Sequence, residues 1–309
     1  MPPGDAIVCR ELTRSFDGFL ALDSLDLEVP ERSVFGFLGP NGAGKTTTIK
    51  ILTGLINPTR GAATVAGVDA REHSVDSRRR LGYLPEEPSF YGWMTGREFL
   101  EFSGRLFDLG RDELRERVDS LLEEVGLDED GGRRVRTYSR GMRQRLGMAQ
   151  ALVNDPEVVF LDEPCSALDP LGRIEILEMI ERLGREATVF MSSHILSDVD
   201  RICDTVAVLD RGKLVVQAGI EELRQRYVLP IFRVEFDRKP SEFRVRLNEA
   251  DWVEEVDEVD GRRFVVHASD LERAKNSLPR IAASDEANLV RYELSSPTLE
   301  DIFVRMVGG

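Results

Sequence analysis

The sequence predicts an α/β domain built on a mostly parallel sheet, with a helical subdomain inserted in it and a small α+β C-terminal accessory domain after it. Three observations carry this. From Ala6 to Val216, short β-branched runs alternate with longer helix-like stretches, the texture of a parallel sheet with crossover helices. Between about residues 90 and 156 the text is helical almost throughout. After Tyr227 the register changes to strict alternation. A chain of 309 residues also suggests two units, at about 150 residues per domain. The expected division is 1–227 and 228–309.

The runs 34–38 (VFGFL), 158–162 (VVFLD), 187–191 (ATVFM) and 205–209 (TVAVL) are continuous apolar stretches of the length of buried central strands. Asp169 as cap and Pro170 in the first turn open a helix between the second and third of them. In the helical insertion, Thr95 and Glu98 form a capping box ahead of Phe99, Leu100 and Phe102, and Leu114, Val118, Leu121, Leu122 and Val125 keep a helical period. Gly131-Gly132, followed by basic residues to Arg136, predicts a mobile connector back to the sheet. In the last domain, 231–236 and 263–267 read as strands on either side of an acidic stretch from Glu249 to Asp260. A helix is expected from Asp270 to Ile281, and an amphipathic one from Pro297 with Leu299, Ile302, Phe303 and Met306 as its apolar face.

Composition removes several classes of function. The chain carries 41 Lys+Arg against 56 Asp+Glu, a formal charge of −15, with 41% hydrophobic residues. That is a soluble globular balance, and it argues against broad nucleic-acid contact, which needs a concentrated basic surface. No run approaches the roughly 18 apolar residues of a membrane span, and the amino terminus has no secretory pattern, so a cytoplasmic location is expected. Three cysteines and three histidines, none at metal-ligand spacing, make a disulfide or zinc site improbable. Cys165 and Cys203 read as small buried hydrophobes.

Chemistry concentrates in two places. Strand 34–38 is followed by Gly39-Pro40-Asn41-Gly42-Ala43-Gly44-Lys45-Thr46-Thr47 and then a helix, the context of a phosphate-binding loop. Its glycines let successive backbone N–H groups curl round phosphate oxygens. Lys45 would reach the β and γ phosphates, and the Thr46 hydroxyl would ligate Mg²⁺. Strand 158–162 ends in Asp162 and Glu163, at the edge where parallel sheets bind ligands. Asp162 would hold the metal directly or through water, and Glu163 would act as general base on the attacking water.

Further motifs in fixed order make the chain similar to the nucleotide-binding subunit of an ABC transporter, over about residues 6 to 220. Tyr138-Ser139-Arg140-Gly141-Met142 with Arg143-Gln144-Arg145 resembles the family's signature, Ser166-Ala167-Leu168-Asp169 the loop after the second acid, and His194 after Ser192-Ser193 the switch histidine. The resemblance implies the P-loop NTPase fold of an ABC cassette and ATP hydrolysis with Mg²⁺. It also implies a site completed by a second cassette, because Ser139 and Gly141 would hold the γ-phosphate of ATP bound to the opposite subunit. His194 would hold that phosphate and the water in line. Phe16 sits where the family stacks an aromatic ring on adenine, although an aromatic near a first strand is also an ordinary core residue.

Two departures from the family pattern stand out. Arg140 and Met142 replace the commoner Gly and Gln, as in the exporter, ABC-2-type branch. Glu86, in Leu84-Pro85-Glu86-Glu87-Pro88, replaces a glutamine that touches metal and water; a carboxylate still ligates Mg²⁺ but cannot donate a hydrogen bond. The resemblance implies an ATPase that drives a separate membrane permease and sits on the cytoplasmic face of the membrane through it, in a homo- or heterodimer. The alternatives are a soluble ABC ATPase acting on ribosome or nucleic acid, and a module that holds ATP without turnover. The last domain would pair or regulate cassettes, or simply cap one.

Overall fold

The computed structural model describes residues 4–72, 74–166, 168–226, 230–295, 299, 300 and 302. It divides into two compact units, Met1–Ile220 and Glu221–Gly309. His73, Ala167 and the expected boundary at Tyr227 lie outside the described residues.

The first unit opens differently from the expected alternation. β1 (Asp5–Phe16) and β2 (Phe19–Pro30) form an antiparallel hairpin closed by Asp17-Gly18, whose φ angles of 46° and 89° are those of a tight hairpin turn. β3 (Val34–Leu38) is buried throughout and leads through the glycine-rich loop into α1 (Lys45–Leu52). β4 (Arg60–Val65) and β5 (Val68–Asp69) then join the hairpin, giving an antiparallel sheet in the order β2-β1-β4-β5. Alternating burial along β2, with Leu25, Leu27 and Val29 inside, is the period-2 pattern of a half-buried strand, and it marks this sheet as separate from the parallel one.

The parallel sheet is assembled from distant segments. After α2 (Val75–Arg79) comes β6 (Leu81–Leu84), and then the helical insertion of α3 (Gly96–Arg105), α4 (Arg111–Glu124), a single 3₁₀ turn at Val135–Thr137 and α5 (Arg140–Leu152). β7 (Val158–Asp162), α6 (Pro170–Leu183), β8 (Thr188–Ser193), α7 (Leu196–Ile202), β9 (Thr205–Asp210) and β10 (Lys213–Gly219) complete the unit. The strand order is β10-β9-β3-β8-β7-β6, parallel from β9 to β6, with β10 as an antiparallel edge. Phe35, Phe37 and Phe160 surround Phe190 at centroid distances of 5.4, 5.1 and 5.6 Å, and burial of each such ring contributes about 1.5–3 kcal/mol.

Local signals hold in the insertion. Thr95 Oγ1 accepts from the Glu98 N–H at 3.1 Å, and the Glu98 carboxylate accepts from the Thr95 N–H at 2.8 Å. Asp169 caps α6 by accepting from the Gly172 N–H at 3.1 Å. The connector at Gly131-Gly132, expected to be mobile, is instead tied down. Arg97 N–H donates to Gly131 O and Val135 N–H to Met94 O, both at 2.9 Å, and the Tyr138 hydroxyl donates to Asp130 O at 2.8 Å. Gly-Gly signals conformational freedom only where nothing else satisfies the backbone, and here the start of α3 does so.

The second unit begins within α8 (Ile220–Arg226) and continues with β11 (Ile231–Phe236), α9 (Phe243–Asn248), β12 (Val253–Glu258), β13 (Arg263–Ala268), α10 (Leu271–Ala283) and β14 (Leu289–Leu294). Its sheet runs β12-β13-β11-β14 with every neighbour antiparallel, which is the split βαββαβ topology. Phe243 packs edge-on against Phe236 and Phe264 at 4.8 and 5.2 Å. The acidic stretch contains the edge strand β12, and its exposed Glu254, Glu255, Asp257 and Glu258 discourage pairing with another chain. Leu299 and Ile302 are helical and buried; Pro297, Phe303 and Met306 lie outside the described residues.

The insertion meets the sheet through a close approach at Gly82 on β6. A Cβ there would lie 2.0 Å from the backbone oxygen of Ala151 on α5, which cannot swing aside as a side chain can. Gly82→Ala is expected to destabilise the first unit by at least about 1–3 kcal/mol, seen as a lower urea midpoint with unchanged slope. An unshifted midpoint would show that α5 does not press on β6.

Candidate active site

The parallel strands end at one edge, and the candidate residues gather there. The loop after β3 turns back at Gly42 and Gly44, whose φ values are 81° and 112°. At Gly44, the N-cap of α1, a Cβ would also come within 2.7 Å of Ala21 O, so only glycine fits. Lys45 is buried; its Nζ donates to Gly39 O at 2.7 Å and lies 3.6 Å from Glu163 Oε1. Ala43 is buried inside the loop, and its N–H donates to Pro40 O at 3.1 Å.

β7 delivers both acids. Asp162 is 1% exposed and Glu163 7%, and Glu163 has a φ of 52°, a left-handed conformation that costs a non-glycine residue about 1–3 kcal/mol. Asp162 Oδ1 accepts from the Ser192 hydroxyl at 2.6 Å, while its Oδ2 is buried without a hydrogen-bond partner. Glu163 Oε2 lies 2.8 Å from His194 Nδ1. Burial, reinforced by the Asp162 charge, pushes the neighbouring Tyr83 phenol up to about 12.

These groups face an open cleft of about 400 Å³. Phe16, Asn41, Gly42, Gly44, Lys45, Thr46, Thr47, Glu86, Glu163 and His194 all line it. Asp162, Gly39 and Ala43 sit behind that lining. Phe16 is 39% exposed at the rim, with the Arg14 guanidinium 4.3 Å from its ring centroid, so it is not a core residue. Ser139 and Gly141 do not line the cleft. They open α5, where Ser139 Oγ accepts from the Met142 N–H at 3.1 Å.

The family is decided by comparison with known proteins. A family model described as ABC transporter matches residues 22–166, and one described as ATP-binding protein DrrA1-3-like, C-terminal domain, matches residues 219–307. The uncharacterized ABC transporter ATP-binding protein YxlF of Bacillus subtilis is 37% identical over 298 residues, which cover 96% of this chain and 98% of that protein. The chain belongs to the ATP-binding subunits of ABC transporters. It is thus an ABC transporter ATPase. The bacitracin transport ATP-binding protein BcrA of Bacillus licheniformis is 33% identical, covering 98% of this chain and 97% of that one. The daunorubicin resistance ATP-binding protein DrrA2 of Streptomyces coeruleorubidus is 35% identical, covering 99% and 96%. A solved ATP-binding subunit of an ABC transporter superposes with a TM-score of 0.66 at 29% identity, over 72% of this chain and 93% of the other. The dimeric cassette MJ0796 bound to ADP and phosphate shares the fold, with a TM-score of 0.65 at 22% identity over 69% and 98%.

One lining residue of this ABC subunit's cleft, and two contacts behind it, escaped the sequence reading. Phe19, 67% exposed, lines the cleft opposite Phe16 in the hairpin register; Asp17-Gly18 between them was the signal for that pairing. Ser192, beside His194, joins the two acids. Gln144, buried on α5, donates through Nε2 to Pro164 O at 3.1 Å and ties the signature helix to the loop after Glu163. On that same loop, burial pushes the Cys165 thiol up to about 12; burial likewise raises Cys9 to about 12 and holds Cys203 well above the ordinary value. A raised thiol pKa keeps sulfur protonated and unreactive at lower pH. At pH 8 a disulfide dye should therefore label none of the three rapidly in native protein and all three after unfolding. One fast-reacting equivalent in the native state would contradict this burial.

Proposed function

We propose that this subunit binds Mg-ATP and, by closing head to tail with a second cassette around two ATP molecules, powers a separate membrane permease of an exporter. The supporting observation is the distribution of the site. Lys45, Glu163 and His194 share one cleft within 2.8 and 3.6 Å contacts, while Ser139 and Gly141 stand outside it at the start of α5. A donor pair at a helix N-terminus suits a phosphate, and a second cassette would bring that phosphate to it. The names of relatives that serve bacitracin transport and daunorubicin resistance favour export.

In this reading, Phe16 stacks on adenine and the loop from Gly39 to Thr47 cradles the phosphates. The buried, unpartnered Oδ2 of Asp162 fits a cation, with the Thr46 hydroxyl and Glu86 on the cleft wall as further oxygen donors. Magnesium bound there would neutralise charge on the β and γ phosphates. Lys45 and His194 each hold one oxygen of Glu163 in this structure. An incoming γ-phosphate competes for both, freeing the carboxylate to take a proton from the attacking water. Permease docking falls to the helical insertion, where Tyr91 and Trp93 are exposed 6.1 Å apart and Phe102 meets Tyr91 edge-on at 5.8 Å. Among the described residues no helix is long and apolar enough to cross a membrane. The permease would hold the subunit on the cytoplasmic face, with residues 228–309 as an accessory domain.

Lys45→Ala is expected to abolish ATP binding in calorimetry, and an unchanged affinity would refute its role. Glu163→Gln should bind ATP normally, hydrolyse it about 10²–10⁴-fold more slowly and accumulate as a dimer in gel filtration with ATP. A monomer at high protein concentration would count against the head-to-tail site. Crosslinkers placed within residues 88–110 should capture the permease. Capture only from residues 228–309 would move the docking site.

A further inference from the structure

We propose that Ser192 is a positioning residue that orients both acids of the site through a single hydroxyl. This rests on the reading that Asp162 serves the metal and Glu163 the water. Ser192 is fully buried on β8, directly opposite Asp162 in the parallel pairing with β7. Its Oγ receives the Glu163 N–H at 3.0 Å and lies 2.6 Å from Asp162 Oδ1.

A hydroxyl has one hydrogen and two lone pairs. The amide of Glu163 can only donate, so it occupies a lone pair, and the one hydroxyl hydrogen is left for Asp162 Oδ1, consistent with the short distance. The consequences for the two acids differ. Asp162 is locked with Oδ1 satisfied, which leaves the buried Oδ2 as the oxygen free for a cation. Glu163 is held at the amide of a residue whose φ is 52°, so the same bond fixes the left-handed turn that carries its carboxylate into the cleft. The next residue does not share the task, since Ser193 Oγ accepts from the Ile195 N–H at 2.9 Å.

The test measures affinity for a fluorescent ATP analogue on the full chain, once with Mg²⁺ and once with EDTA, and Mn²⁺ binding to the nucleotide complex by electron paramagnetic resonance. Ser192→Ala and the near-isosteric Ser192→Cys should keep the affinity seen in EDTA but lose about 10–100-fold of metal affinity, the usual effect of removing a ligand's hydrogen-bond partner. Ser192→Thr, which keeps the hydroxyl, should retain the metal-dependent gain. Asp162→Asn is the reference. If Asp162→Asn loses the gain while Ser192→Ala and Ser192→Cys keep it, the role of Ser192 is overturned and that of Asp162 stands. If Asp162→Asn itself keeps the gain, the metal reading falls and this inference with it. An equal loss in EDTA and Mg²⁺ for the Ser192 variants would reduce the residue to a packing role and overturn the proposal.

Discussion

Two consecutive carboxylates are buried at the end of β7, and the architecture around them is organised by what that burial demands. Removing an ionised group from water costs several kcal/mol unless charge and hydrogen bonds replace the lost hydration. Lys45 answers Glu163 from the start of α1, His194 from the segment after β8, and Ser192 answers Asp162 from β8 itself. These partners come from two distant places in the chain, the start of α1 and the end of β8, so the relative positions of β3, β8 and β7 follow from the acids as much as from the phenylalanine core beneath them. Sheet order is therefore an electrostatic requirement here as well as a packing one.

The same demand reaches the helical insertion. Gln144 is buried and its amide donates to Pro164 O, one residue beyond Glu163. About one turn further along the helix, Gly147 leaves room for Leu84 and Pro88, because a Cβ there would come 2.6 Å from Leu84 Cδ1. The helix that opens with Ser139 is thus fastened to the acidic loop by one polar bond and to β6 by close packing. Displacement of its first turn strains both attachments. That is a physical link between the proposed signature end and the acids, carried by named contacts.

Much of this was legible in the sequence because it depended on local rules. The buried strands, the capping box at Thr95, the Asp169 cap and the phosphate loop are each written within a few residues, and each lies where its pattern places it. Features set by tertiary partners were not legible. The Gly131-Gly132 connector has the composition of a loose linker, yet its backbone groups are satisfied by the start of α3. Ser192 looks like any small residue at a strand end until β7 is laid beside it. The antiparallel first sheet was readable from Asp17-Gly18 and the alternation in β2, but the runs of apolar residues around it suggested a single parallel sheet. Within 249–260 the charges concealed a strand, since an exposed edge strand carries few apolar side chains.

Charge also decides how an acidic protein accepts a polyanion. A net charge of −15 over the whole chain weighs little inside the cleft, because screening confines exposed charges to about 8 Å at physiological salt. What counts is the local set. Lys45 lines the cleft with Glu163, 3.6 Å away, and with Glu86, while Asp162 is buried next to Glu163 in sequence. One lysine against three carboxylates cannot balance the phosphates of ATP, even with the N–H groups at the start of α1. In most of the family, an amide at the position of Glu86 would leave two carboxylates. The extra acid makes the local field more negative, so the proposed Mg²⁺ would carry a larger share of the binding energy in this subunit. In the same reading Glu86 would compete with the phosphates for that cation, which would make the joint between sheet and helical insertion a point where metal and nucleotide occupancy act on each other.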